Sequence, residues 1–181
     1  SIGKEAFAYC RLLESVSLGE TDVIKEGTFR NNISLKSINL GKVKYIGNEA
    51  FYNCYSVSYV NLSASIESIG DSAFENCTKI DSLHINDAYC SIGVGTFRNC
   101  SNLVYAYIGD NVTNIEDMAF AFCTNLKGIN TKNQVVLPSK IETINYATFY
   151  KCEKLTNKII LPYSVKKIRD KAFYYCRNIN S

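Results

Sequence analysis

The sequence predicts a repeat solenoid: one elongated domain of about eight stacked coils, without a linker. Three observations carry that prediction. An Ala/Thr-Phe pair recurs eight times across 181 residues, at Phe7, Phe29, Phe51, Phe74, Phe97, Phe120, Phe149 and Phe173. The gaps are 22, 22, 23, 23, 23, 29 and 24 residues. Five positions before each Phe stands an Ile (Ile2, Ile24, Ile46, Ile69, Ile92, Ile115, Ile144, Ile168), and three after it a Cys or, once, Asn32. A further aliphatic residue follows three positions on (Leu13, Leu35, Val57, Ile80, Leu103, Leu126, Leu155, Ile179). Periods of this length mark stacked units, because a unit of about 23 residues cannot bury its own apolar side and shares a core with its neighbours.

Within one unit the head comes first. GDSAFENC (residues 70–77) opens with Gly and an acidic residue, which reads as an N-cap before a single helical or 3₁₀ turn. Phe74 then points inward, and Ala73 is small enough to let neighbouring coils approach. The tail alternates with period two, as in Val16 and Leu18, Ile38 and Leu40, or Val60 and Leu62, which predicts a short half-buried strand. With parallel strands about 4.8 Å apart, eight coils span roughly 40 Å. The expected class is therefore a curved right-handed solenoid of α/β type, one strand and one short helical turn per coil.

The length variations fit this frame. Six extra residues follow Cys123, around KGINTKNQ (127–134), and one follows Cys152. Both fall between the Cys and the strand, which reads as surface loops on one edge. Pro138 and Pro162 follow their strands directly, where a missing N–H is tolerated and pairing stops.

Composition excludes several classes. Net charge is +3 with the cations scattered, which gives no reason to invoke nucleic acid. No apolar run approaches the ~18–20 residues of a membrane span, so direct membrane insertion is not expected. No secretory leader is visible in the opening SIGKEAF. The chain begins at the Ile of one coil and stops just after the Cys of another, without polar caps. It thus reads as a piece of a longer array, and end-to-end self-association is an expectation.

The phrases SIGDSAFENCTKIDSL (68–83) and LPYSVKKIRDKAFYYCRNI (161–179) resemble the BspA-like, Treponema-type class of leucine-rich repeats. That class follows LP-x-x-V-x-x-I-x-x-x-A-F-x-x-C-x-x-L. The resemblance covers essentially the whole chain. Departures are modest: LP survives only at Leu137-Pro138 and Leu161-Pro162, and Thr28, Thr96 and Thr148 replace Ala. The resemblance implies a leucine-rich repeat solenoid in a surface-exposed or secreted adhesion protein that binds host matrix proteins or other cells. Fold alone does not fix that function. The alternative is a structural spacer or intracellular scaffold without its own ligand.

Eight cysteines raise disulfides, metal and a nucleophile. Seven of them (Cys10, Cys54, Cys77, Cys100, Cys123, Cys152, Cys176) share one column with Asn32. Adjacent Cα atoms near 5 Å permit a bridge, but parallel Cβ vectors hold the Cβ atoms beyond the ~3.8 Å it prefers. Cys and Asn share the capacity to donate to a buried turn carbonyl. The column therefore reads as a structural ladder of reduced thiols. Metal is disfavoured, with no C-x-x-C pair and one His. Cys90 lies off the column and is the one thiol to test for reactivity, against the plainer reading of a buried aliphatic substitute. There is no H-E-x-x-H around His84, and GVG (93–95) lacks a third Gly, so no catalytic residue and no cofactor is assigned.

The positions that the repeat leaves free point away from the core. One outward column reads Ser15, Ser37, Tyr59, Ser82, Tyr105, Gln134, Lys158; the next reads Ser17, Asn39, Asn61, His84, Tyr107, Val136, Ile160. Tyr59, His84, Tyr105, Tyr107, Val136 and Ile160 form the candidate partner-binding patch, since Tyr offers large contact area at low entropy cost. The plainer reading is that Tyr is a good strand former. Five N-x-S/T sequons begin at Asn32, Asn61, Asn76, Asn99 and Asn111; a glycan on Asn61 would obstruct this face.

Overall fold

The alternating tails and seven of the eight repeat Ile positions become strands, so a full coil carries two. A computed structural model describes residues 2–132, 134–156 and 158–179. The tails form β1 (Ser15–Ser17), β3 (Ser37–Asn39), β5 (Tyr59–Leu62), β7 (Ser82–Ile85), β9 (Tyr105–Ile108), β12 (Gln134–Val136) and β14 (Lys158–Ile160). Two-residue strands end on the repeat Ile: β2 (Val23–Ile24), β4 (Tyr45–Ile46), β6 (Ser68–Ile69), β8 (Ser91–Ile92), β10 (Asn114–Ile115), β13 (Thr143–Ile144) and β15 (Lys167–Ile168). Among the strands listed so far, every ladder pairing is parallel. The second, shorter sheet is a feature that one strand per coil does not anticipate.

The head of the coil is not helical, which corrects the expected α/β type: among the described residues there is no helix. In all eight heads the residues two before and two after the Phe have positive φ, for example Ser72 at 53° and Asn76 at 63°. A right-handed helix cannot pass through such residues, each of which costs about 1–2 kcal/mol for an ordinary side chain. The conformation is held because it turns amides toward the next coil. Phe29 N–H donates to Ala50 at 2.8 Å, Phe51 to Ala73 at 2.8 Å and Phe74 to Thr96 at 2.9 Å. Nor is the acidic residue after the Gly an N-cap of its own coil. Asp71 Oδ1 accepts from Val94 N–H of the following coil at 2.7 Å.

The core runs lengthwise. The eight Phe rings stack at 5.0–5.7 Å between centroids, within 17° of parallel, through seven turns. Six of them are fully buried. Where Thr replaces Ala beside the Phe, its hydroxyl donates to the carbonyl three residues back, as Thr96 does to Gly93 at 2.8 Å. Close approach demands glycine at the coil corner: a Cβ on Gly70 would stand 2.6 Å from Asn48 N and 2.7 Å from Gly47 C.

The six-residue insertion is not simply a surface loop. Gly128–Ile129 forms an extra strand, β11, between β9 and β12, pairing Ile129 with Ala106 on one side and Val135 on the other. Both residues are buried, while Thr131 and Lys132 are exposed. An aliphatic side chain at Ile129 fills the core row, so the insertion lengthens the long sheet by one rung.

Candidate functional site

The ladder column stands against the Phe carbonyls. Cys54, Cys77, Cys100, Cys123, Cys152 and Cys176 each direct Sγ at the carbonyl of the Phe in the preceding coil, at 3.0–3.3 Å. Asn32 Nδ2 donates to Phe7 O in the same way at 2.9 Å, leaving its Oδ1 buried without a partner. All eight cysteines are free. Burial pushes the thiols of Cys54 and Cys123 up to about 12, and those of Cys77, Cys100 and Cys152 well above the usual range. Such thiols are neutral donors at physiological pH and poor nucleophiles. Cys90 is buried too, and desolvation raises it to about 11. The exposed thiol is Cys10.

The sequons divide by position. The carboxamides of Asn53, Asn76 and Asn99 donate in series to Asn31, Asn53 and Asn76 at 2.8–2.9 Å, a ladder on the turn surface. Asn32 is buried. Asn61 is exposed on the strand face.

The outward face of the long sheet carries the candidate patch in two parts. Ladder register sets Tyr59 beside Ser82 and Ser82 beside Tyr105, and sets Asn61, His84 and Tyr107 in a row. Their rings lie against each other, with His84 5.7 Å from Tyr107 at 27° and Tyr59 6.1 Å from His84. Tyr59 and Tyr107 remain 48% and 40% exposed, large areas for grouped aromatics in water. Val136 and Ile160 pair with each other further along. They do not adjoin Tyr107, because β11 intervenes and places Gly128 beside Tyr105.

Beside this rung the surface is hollowed. A cavity of about 270 Å³ opens there, walled by Ser82, His84, Tyr105 and Tyr107 on one side and by Asn130, Thr131 and Lys132 on the other. Gly128 is obligatory, since a Cβ would meet Thr131 O and stand 2.8 Å from Gln134 O. Sequence reasoning missed Gly128, Asn130 and Lys132. The available signal was the insertion length, long enough to supply a rung. The two outward columns hold no carboxylate, and Lys158 and the neighbouring Lys132 are cationic. Charge is also less evenly spread than the total suggests: eleven of the 20 Lys and Arg residues lie in residues 127–181, with three of the 17 acidic ones.

Parallel strands, a stacked Phe column and a Cys/Asn ladder define the class as a leucine-rich repeat solenoid, a scaffold used in general for protein interaction. The chain belongs to the BspA type leucine rich repeat region family, whose profile matches residues 1–127 and 128–181. It is similar to a leucine-rich repeat protein from Bacteroides ovatus, with 27% identity and TM-score 0.70 over 93% of this chain and 48% of that one. It is also similar to the leucine-rich repeat protein of T. pallidum, with 26% identity and TM-score 0.72, covering 84% of this chain and 69% of that one. This chain thus spans about half the length of the Bacteroides protein. A leucine rich cell surface protein from Faecalibacterium prausnitzii matches at 17% identity and TM-score 0.46, over 96% and 75% of the two chains. No curated protein sequence matches.

Proposed function

We propose that this chain is a non-catalytic protein-binding module of a cell-surface or secreted adhesin, engaging host matrix or neighbouring-cell proteins through the long-strand face. The observation that carries the reading is the half-exposed Tyr59–His84–Tyr107 cluster beside the cavity walled by Tyr105, Asn130 and Lys132. Aromatic side chains grouped around a pocket are where binding energy concentrates in protein interfaces. Lys132 and Lys158, with no carboxylate on the outward columns, favour a partner that brings an acidic side chain to this end. Val136 and Ile160 extend the surface as an aliphatic rim.

The test is surface plasmon resonance against a panel of immobilised extracellular-matrix proteins. The Tyr105→Ser/Tyr107→Ser variant is compared with the parent. Two interface tyrosines at about 1–2 kcal/mol each predict a loss of at least roughly tenfold in affinity. Thermal stability is expected to hold, because both side chains point outward. A partner that binds parent and variant equally would place recognition on another surface.

A further inference from the structure

The long sheet is broken once among the early coils. β1 pairs with β3 and β5 pairs with β7, yet β3 and β5, in successive coils, share no ladder pairing. From residue 36 to residue 42 no backbone hydrogen bond crosses to residues 58–64. The equivalent steps elsewhere are bonded, as Asp81 N–H to Ser58 O at 3.1 Å and Val104 N–H to Asp81 O at 2.8 Å. The same two coils stay joined on their other sides. Tyr45 and Ile46 pair with Ser68 and Ile69, and Phe29 stacks on Phe51 at 5.3 Å. The coils therefore splay only at the long strands.

The cause is a change in coil length. Six positions separate Leu40 from Ile46, whereas seven separate Leu62 from Ile69. The tighter corner of the second coil does not present its strand at the height that the third coil needs. Ile38, whose counterparts Val60 and Leu83 are buried, is left half-buried at the edge. The cleft is about 320 Å³, lined by Ile38, Asn39 and Leu40 on one wall and by Tyr59, Asn61 and Ser63 on the other. None of these residues is charged.

We propose that this seam is a binding site for an extended, uncharged peptide segment, which enters as a parallel strand between β3 and β5. Both walls are strand edges, and facing edges offer main-chain donors and acceptors to an added strand. Carboxamides at Asn39 and Asn61 supply further partners for its backbone. Ile38 and Val60 flank the inward row, so the segment carries aliphatic side chains at alternate positions, as the solenoid's own rungs do. The chain already contains one such added rung. Gly128–Ile129 slots between β9 and β12 without a coil of its own and buries its Ile. This proposal stands apart from the aromatic patch and does not depend on it.

The probe is an acetylated, amidated heptapeptide copying residues 58–64, with a backbone N-methylated version as control. Amide hydrogen exchange and NMR shifts are read on the whole chain. In the free protein, the seam-facing amides of Ile38, Leu40, Tyr59 and Asn61 exchange about 100-fold faster than those of β7 and β9. The peptide at about 2 mM slows them to the rate of the sheet, and the N-methylated peptide does not. Ile38→Lys, at a half-buried position packed against the core, lowers the melting temperature by a few degrees and weakens peptide binding at least about tenfold in the protein that remains folded. Three outcomes overturn the proposal: seam amides protected in the free monomer, no response to the peptide, or protection that appears only with dimerisation. The last would assign the seam to a second copy. Unaltered binding by a folded Ile38→Lys protein would likewise place the peptide elsewhere.

Discussion

Replacing Asn32 by Cys should stabilise the protein, although it removes one of the stronger donors in the buried column. Asn32 donates to Phe7 O at 2.9 Å, but its Oδ1 is sealed off without a partner. An unsatisfied buried acceptor costs about 1–3 kcal/mol. Cysteine keeps a donor in the place where six other coils use Sγ at 3.0–3.3 Å, and it carries no orphan oxygen. Against this stand a weaker S–H donor and a slightly smaller side chain, which together cost up to about 1 kcal/mol. The net expectation is a gain of about 1 kcal/mol. Asn32→Val also removes the oxygen but leaves Phe7 O with only the Cys10 N–H, at 3.4 Å, so it should fall below Asn32→Cys by about 1 kcal/mol. Urea unfolding gives the order, and exchange of the Phe29 amide, which donates to Ala50 O, reports the adjacent coil directly. A loss of more than about 1 kcal/mol in Asn32→Cys, or equal stability of the Cys and Val proteins, would refute the donor-ladder account.

The remaining expectations concern the same core. Gly70→Ala should cost at least about 2 kcal/mol in thermal unfolding, since its Cβ would press on backbone atoms of the preceding coil that cannot yield. Stability should fall as pH rises above about 8.5, where the unfolded thiols ionise and the folded ones do not. The folded thiols of Cys54 and Cys123 titrate near 12, so each withdraws about 2 kcal/mol by pH 10; Cys54→Ala should show a shallower decline in chemical denaturation. Native thiol labelling should modify Cys10 rapidly and Cys176 slowly, with Cys90 and the buried ladder reacting only in denaturant. Rapid modification of Cys90 would contradict its burial.

Much of the architecture was legible because the repeat writes each structural role at a fixed offset. Phe74, Cys77 and Ile80 could be placed inward from recurrence alone, and Tyr59, His84 and Tyr107 outward from the two-residue period. What escaped reading depends on backbone geometry. Left-handed residues on both sides of each Phe include Glu49, Met118 and Lys151, whose side chains give no hint of positive φ. Their conformation follows from inter-coil hydrogen bonds rather than from local preference, and a one-coil reading substitutes a helical turn. The rung at Gly128–Ile129 was hidden for a related reason. Two residues are too short for a periodic signal, and their strand is made by the partners on either side. The seam between β3 and β5 lies in a single missing residue, visible as 22 against 23 in the spacing but meaningless until the coils are stacked.

The hydrogen bonds of the turn face give the solenoid a direction. There each coil donates forward: Glu5 to Glu26, Phe7 to Thr28, Gly27 to Asn48, Phe29 to Ala50 and onward through Phe149 to Ala172. The backbone of a turn face therefore meets its successor with N–H groups and its predecessor with carbonyls. Two copies brought together donor end to donor end, or acceptor end to acceptor end, would confront like with like along this edge. A joint between copies that preserves the bonding must be head to tail. Such a joint is heterologous and repeats without closing on itself, so assembly by this route would yield open chains of solenoids rather than a symmetric pair.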